Sequence, residues 1–166
     1  MKAIVVYESH WGNTAAVARA IAEGIGPGAK ALTTDEAVGR ELADVDLVVA
    51  GAPVMVFSLP GEGMRDRVEA DRKAPAAADV AHPMLRTWLD GLPAIPRARA
   101  AAFDTRARFT PRGAVGTIES KLRKAGCQVV TKGRGFVVMG TYGPLRDGEL
   151  DRARAWGHEL AGYVED

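Results

Sequence analysis

Apolar positions along the chain fall into short unbroken runs, separated by stretches whose apolar residues recur at helical spacing. The first run, Ala3-Ile4-Val5-Val6-Tyr7, is rich in β-branched residues, the pattern of a strand covered on both faces. Ser9 to Thr14 then turn small and polar. Residues 13–24 follow with Ala16, Val17, Ala20, Ile21 and Gly24 three and four apart, which predicts an amphipathic helix. Gly24-Ile25-Gly26-Pro27-Gly28 stops it. Residues 29–33 read as a weak second strand and 35–38 as a short turn or helix. Residues 44–50 read as a third strand, closed by Gly51-Ala52-Pro53. Residues 54–83 carry no clear element beyond a short helix over 64–70. A connection of that length points to a functional loop. Leu85, Trp88, Leu89 and Leu92 define one helix face. Residues 98–103 make a fourth strand and 110–113 a turn. Val115, Ile118, Leu122 and Ala125 mark the next helix, stopped by Gly126. Val129-Val130 and Phe136-Val137-Val138-Met139 read as a last strand interrupted around residues 132–135. Leu150, Ala153, Gly157, Leu160 and Val164 form the stripe of a final helix.

Strands alternating with helices predict a single α/β domain, doubly wound around a parallel sheet. In such sheets ligands sit beyond the carboxyl ends of the strands. The turn after the first strand aims free backbone N–H groups and the positive end of a helix dipole at one point, where an anion such as a phosphate fits. Ser9, Asn13 and Thr14 add side-chain donors, and Gly12 permits close approach to the backbone. The plainer reading is that Asn13 or Thr14 caps the helix.

Ser9-His10-Trp11-Gly12-Asn13-Thr14 resembles the phosphate-binding loop of the flavodoxin-like family, matching it at Ser9, Gly12, Asn13 and Thr14. His10 and Trp11 stand where short flavodoxins carry small hydroxyl residues. The segments Leu85–Leu89, Phe103–Arg106 and Gly143–Leu150, with Trp156-Gly157, are similar to recurring patterns in the wider flavodoxin-domain group. The resemblance therefore spans nearly the whole chain. It implies a five-stranded sheet in the order 2-1-3-4-5 and FMN as cofactor. Residues 9–14 would hold its phosphate, with Pro53, Val54, Met55 and Phe57 in one loop around its ring and Phe103, Asp104, Thr105 and Arg106 in another. It further implies that Met55 or Phe57 covers the ring. Direct charge attraction would let Arg106 favour the reduced anionic ring and raise its reduction potential, the plainer reading being a solvated loop charge. Residues 54–57 lack the glycine with which flavodoxins stabilise the one-electron form, so two-electron chemistry is expected.

Composition narrows the picture. Apolar residues make up 47% of 166, enough for a sizeable core. The net charge of +1 gives no global attraction to nucleic acid and sets the chain apart from strongly acidic carrier flavodoxins. No apolar run is long enough to span a bilayer, and the N-terminus lacks a signal-peptide layout, which predicts a cytoplasmic protein. Cys127 is alone, so no internal disulfide forms, and a small buried residue is expected there. His10, His82 and His158 show no metal-ligand spacing. The latter two are expected at the surface, and His10 either near the phosphate or facing solvent. No Gly-x-x-x-x-Gly-Lys-Ser/Thr and no Gly-x-Ser-x-Gly occurs, which argues against a nucleotide triphosphatase and a serine hydrolase. Two roles stay open: an electron carrier to a redox partner protein, or a reductase of a small quinone-like acceptor. An α/β module that has lost FMN is the alternative from another class.

Overall fold

The structure, a computed structural model, describes residues 1–165. The elements run β1 (Ala3–Tyr7), α1 (Asn13–Ile25), β2 (Ala29–Thr33), α2 (Thr34–Ala37), β3 (Leu47–Pro53), α3 (Glu62–Glu69), α4 (Leu85–Asp90), β4 (Arg99–Ala107), α5 (Val115–Lys124), β5 (Gln128–Val129), β6 (Arg134–Val138) and α6 (Glu149–Glu165). All strand pairings are parallel, in the order β2-β1-β3-β4-β5. β6 pairs with β4 further along the same edge. The interrupted last strand is thus two short strands in succession: β5 opposite Arg99–Ala100, β6 opposite Phe103–Ala107.

Alternate residues of the central strands feed two cores. Ile4, Val6, Val48, Ala50, Ala100 and Ala102 pack toward Leu85, Trp88, Leu89, Ile118 and Leu122. Val5, Leu47, Val49, Ala101 and Phe103 pack toward Val17, Ile21, Trp156 and Leu160 on α1 and α6. The two helices approach closely. A Cβ at Gly24 would strike the Arg154 carbonyl, and one at Gly157 the Ile21 carbonyl, so glycine is a packing requirement at both. Glu149, at the start of α6, is fully buried. It accepts from the Val137 amide at 2.7 Å and from Arg146 and Arg152 at 2.9 Å each, fixing α6 to β6.

Two strand boundaries differ from the sequence expectation. β3 begins at Leu47 and continues through Gly51-Ala52-Pro53, residues expected to close it. β4 continues past Phe103 to Ala107, through residues expected to form a loop. Mutual pairing of the two strands, Gly51 to Phe103 through Pro53 to Thr105, extends both beyond what local turn chemistry predicts. Pro53 is tolerated because pairing with β1 has ended at Gly51. Among the described residues no helix is long and apolar enough to cross a membrane.

Candidate functional site

β1 delivers the chain to the carboxyl edge of the sheet, and the Glu8 amide still bonds the Gly51 carbonyl at 3.1 Å. The chain then folds around one hydroxyl: Ser9 Oγ accepts from the amides of Gly12 (3.1 Å) and Ala15 (3.2 Å). Gly12 occupies the N-cap of α1 at φ +92°, a left-handed conformation that favours glycine, and no atom lies within 4 Å of where its side chain would begin. Neither Asn13 nor Thr14 caps the helix; both lie inside it. Asn13 Nδ2 donates to the Tyr142 carbonyl at 3.0 Å. Thr14 and Thr105 share a buried hydroxyl–hydroxyl bond of 2.8 Å, tying α1 to β4 and leaving one hydroxyl hydrogen for another acceptor. The amides of Trp11, Asn13 and Thr14 have no acceptor among the described residues. They form the free end of the helix dipole.

This loop opens on a cavity of about 390 Å³. Ser9, His10, Trp11, Asn13 and Thr14 form one wall, Pro53, Val54, Met55 and Val56 a second, Thr105, Arg106 and Ala107 a third, and Val138, Gly140 and Thr141 a fourth. Most of the expected site residues therefore meet. Four do not line the cavity. Gly12 lines instead the smaller cavity behind the loop. Phe57 is exposed, and Val56 takes its place. Phe103 is a core residue, its ring 6.2 Å from that of Phe136. Asp104 is fully buried on the opposite face of β4, where it accepts from the Ala114 amide at 2.8 Å and the Val115 amide at 3.3 Å, at the start of α5. Only the end of this strand, Thr105 to Ala107, reaches the sheet edge where the cavity lies, and Phe103 and Asp104 sit deeper in the sheet. Arg106 lines the cavity but bonds Asp104 through two contacts of 2.6 Å.

The wall at residues 138–141 was missed. Its one signal is the Gly140-Thr141-Tyr142-Gly143 turn after the last strand, at the same sheet edge. Tyr142 packs edge-on against Trp11, ring centres 4.9 Å apart, and its hydroxyl donates to Asp71 at 2.7 Å. The long connection also reaches the loop. The Asp79 amide bonds the His10 carbonyl at 2.8 Å, Arg65 of α3 bonds the His82 carbonyl, and His82 pairs with Asp35 at 2.6 Å and Asp79 at 3.3 Å. His82 is thus half-buried and paired, and His158 is exposed as expected. His10 is neither solvent-facing nor hydrogen-bonded; it is buried beside Glu8. Burial pushes the Glu8 carboxyl up to about 7 against the Leu85 amide bond and the nearby Arg65 and Arg86 charges. Burial, with Arg65, holds His10 down at about 4. A second cavity of about 190 Å³ adjoins the first behind Ser9 and Gly12, lined also by Glu8, Arg19, Arg65, Asp79 and His82. Cys127 is buried, and burial raises its thiol to about 11. Among the described residues no three His, Cys, Asp or Glu side chains gather as a metal site.

No family model matches the chain, and no curated protein matches it in sequence. Solved structures do. A flavodoxin from the domain Archaea is 22% identical with a TM-score of 0.67 over all of both chains. A flavodoxin, WrbA-like protein from Agrobacterium tumefaciens is 17% identical with a TM-score of 0.64, over 99% of this chain and 97% of that one. Oxidised Flavodoxin 2 from Bacillus cereus is 15% identical with a TM-score of 0.68, over 98% and 99%. The chain therefore has the flavodoxin fold, with the strand order that its sequence resemblance implied.

Proposed function

We propose that the chain binds FMN and takes part in electron transfer. One observation carries this reading: three acceptor-less amides at the head of α1, turned by a left-handed glycine at its N-cap, open on a cavity walled by four segments at the same sheet edge. The residues fit the group. The amides of Trp11, Asn13 and Thr14 with the Ser9 and Thr14 hydroxyls suit a phosphate, while Val54, Met55, Val56 and Val138 offer an apolar wall for a flat ring. When bound, FMN would supply one- or two-electron redox chemistry. The chain orients it, shields it from water and sets its surroundings. Arg106 faces that site as half of an ion pair, so Asp104 offsets most of the charge that the sequence suggested it would exert.

Reduction of a small quinone-like acceptor is the finer reading that the surface favours over service as a carrier. Val56 lines the cavity, Phe57, Phe109 and Met139 lie within two residues of lining positions, all four are exposed and apolar, and the Arg108 guanidinium lies 4.9 Å from the Phe109 ring centre. The test is direct. Purified protein mixed with FMN develops a bound flavin spectrum, and Gly12→Val weakens FMN at least about tenfold while leaving riboflavin, which lacks the phosphate, unchanged. Equal loss of both, or no binding by the wild type, removes the reading. Oxidation of NADH or NADPH that quinone accelerates, with the quinone reduced in step, separates reductase from carrier.

A further inference from the structure

Glu8 and His10 stand on either side of Ser9, and both side chains turn inward, with residue exposures of 4% and 3%. Neither imidazole nitrogen has a hydrogen-bond partner among the described residues, nor has Glu8 Oε2; Glu8 Oε1 accepts the Leu85 amide at 3.3 Å. The two side chains face one another, His10 Nε2 to Glu8 Oε2 at 3.9 Å. His10 lines the larger cavity and Glu8 the smaller, so the pair lies between them. A buried polar group left without a partner is costly, so three such atoms side by side point to a function beyond packing.

The surrounding arginines keep their charge near the pair, except Arg106, but none donates to the loop. Arg65 on α3 serves the His82 carbonyl, Arg86 on α4 the Leu59 and Pro60 carbonyls, and Arg106 serves Asp104. Arg19 on α1, with Asp79 and His82 on the long connection, lines the outer cavity. None of these arginines donates to residues 9–14. A dianion arriving at the loop meets amides, hydroxyls and an imidazole without charge.

We infer that the Glu8–His10 pair takes up a proton from solvent when a phosphate monoester dianion seats on residues 9–14, so that ligand and proton bind together. This rests on the reading of that loop as the FMN phosphate site. A nearby dianion in a water-poor interior favours the protonated form of both groups. Glu8, already poised near neutrality, is then held in its acid form, and His10 is drawn toward its cation. The proton crosses no covalent step; it leaves buffer and stays on the pair.

Calorimetric titration with FMN between about pH 7 and 9 tests this, since the free phosphate, with a second pKa of about 6, is already dianionic there. Buffers of different ionisation enthalpy report the protons exchanged, and riboflavin is the control without phosphate. The expected result is uptake of about half to one proton per FMN near the lower end, affinity falling by up to about tenfold per pH unit, and no uptake with riboflavin. Glu8→Gln should keep FMN binding and lose most of the uptake, and His10→Gln should lower it. FMN binding with no proton uptake by the wild type overturns the inference, whatever the variants do. So does undiminished uptake in both folded variants. Failure of the wild type to bind FMN at all removes the phosphate-site reading first, and this inference with it.

Discussion

Val56 and Phe57 form the tip of a tight turn closed by paired bonds between Met55 and Ser58 at 2.9 and 3.0 Å. Both have positive φ, 46° and 61°, a conformation that costs a residue with a side chain about 1–2 kcal/mol. Asn-Gly is the pair such a turn prefers. Val56→Asn with Phe57→Gly should therefore raise unfolding stability by about 1 kcal/mol in urea, and a loss would show that the two side chains pack better than their exposure implies. The buried acid and imidazole make a second prediction. Glu8 holds its proton in the folded state from about pH 4.5 to 7, so it favours folding at low pH and loses that contribution as pH rises. His10, held down at about 4, does the opposite, its contribution disappearing as pH falls from 6.5. Between about pH 4.5 and 6.5 the two slopes cancel. Glu8→Gln removes one of them, so the variant should lose about 1.4 kcal/mol of stability per pH unit of acidification across that window, where the wild type stays nearly flat. A flat variant would show that His10 does not titrate as described. Neither feature was legible in the sequence. A glutamate beside a small polar loop reads as solvated, and only the packing of α3 and α4 over the end of β1 removes its water.

Among elements, the helices were legible and the strand ends were not. Apolar stripes on α1, α5 and α6 are set within each segment and survive folding unchanged. The ends of β3 and β4 are set by each other, through pairing that periodicity cannot see. That is why Asp104 and Thr105 read as a ligand loop: their polarity marks a bond to the start of α5 and a bond to α1. The glycines at the contact of α1 and α6 belong to the same scale. Gly157→Val would drive a branched side chain into the Ile21 carbonyl and should destabilise the protein by about 2 kcal/mol or more, read as a lower urea midpoint with unchanged slope. Gly162→Val on the same helix meets nothing in the fold and should leave stability within about 1 kcal/mol of the wild type or slightly above it.

For the molecule as a whole, the alternation of short apolar runs with helical stripes specified a parallel α/β sheet, its strand order came from the resemblance, and its last expected strand is two, making six. The right-handed crossover rule leaves few ways to wind five parallel strands. The candidate site was half legible for a related reason. Residues 9–14 act as one continuous stretch, so their pattern survives in the sequence. The cavity's far wall comes from residues 138–141, which only the completed sheet carries to the same edge.

The pairing of Glu23 with Arg154 spans 131 residues of chain, and the helix contact around it is what seals α1. On the ribosome, α1 emerges early and its apolar side waits uncovered until α6 has been made. Maturation of the loop at the head of α1 is thus deferred to the end of translation, and nascent chains halted before Glu149 should be bound by chaperones and cut by protease within α1 where the full chain resists.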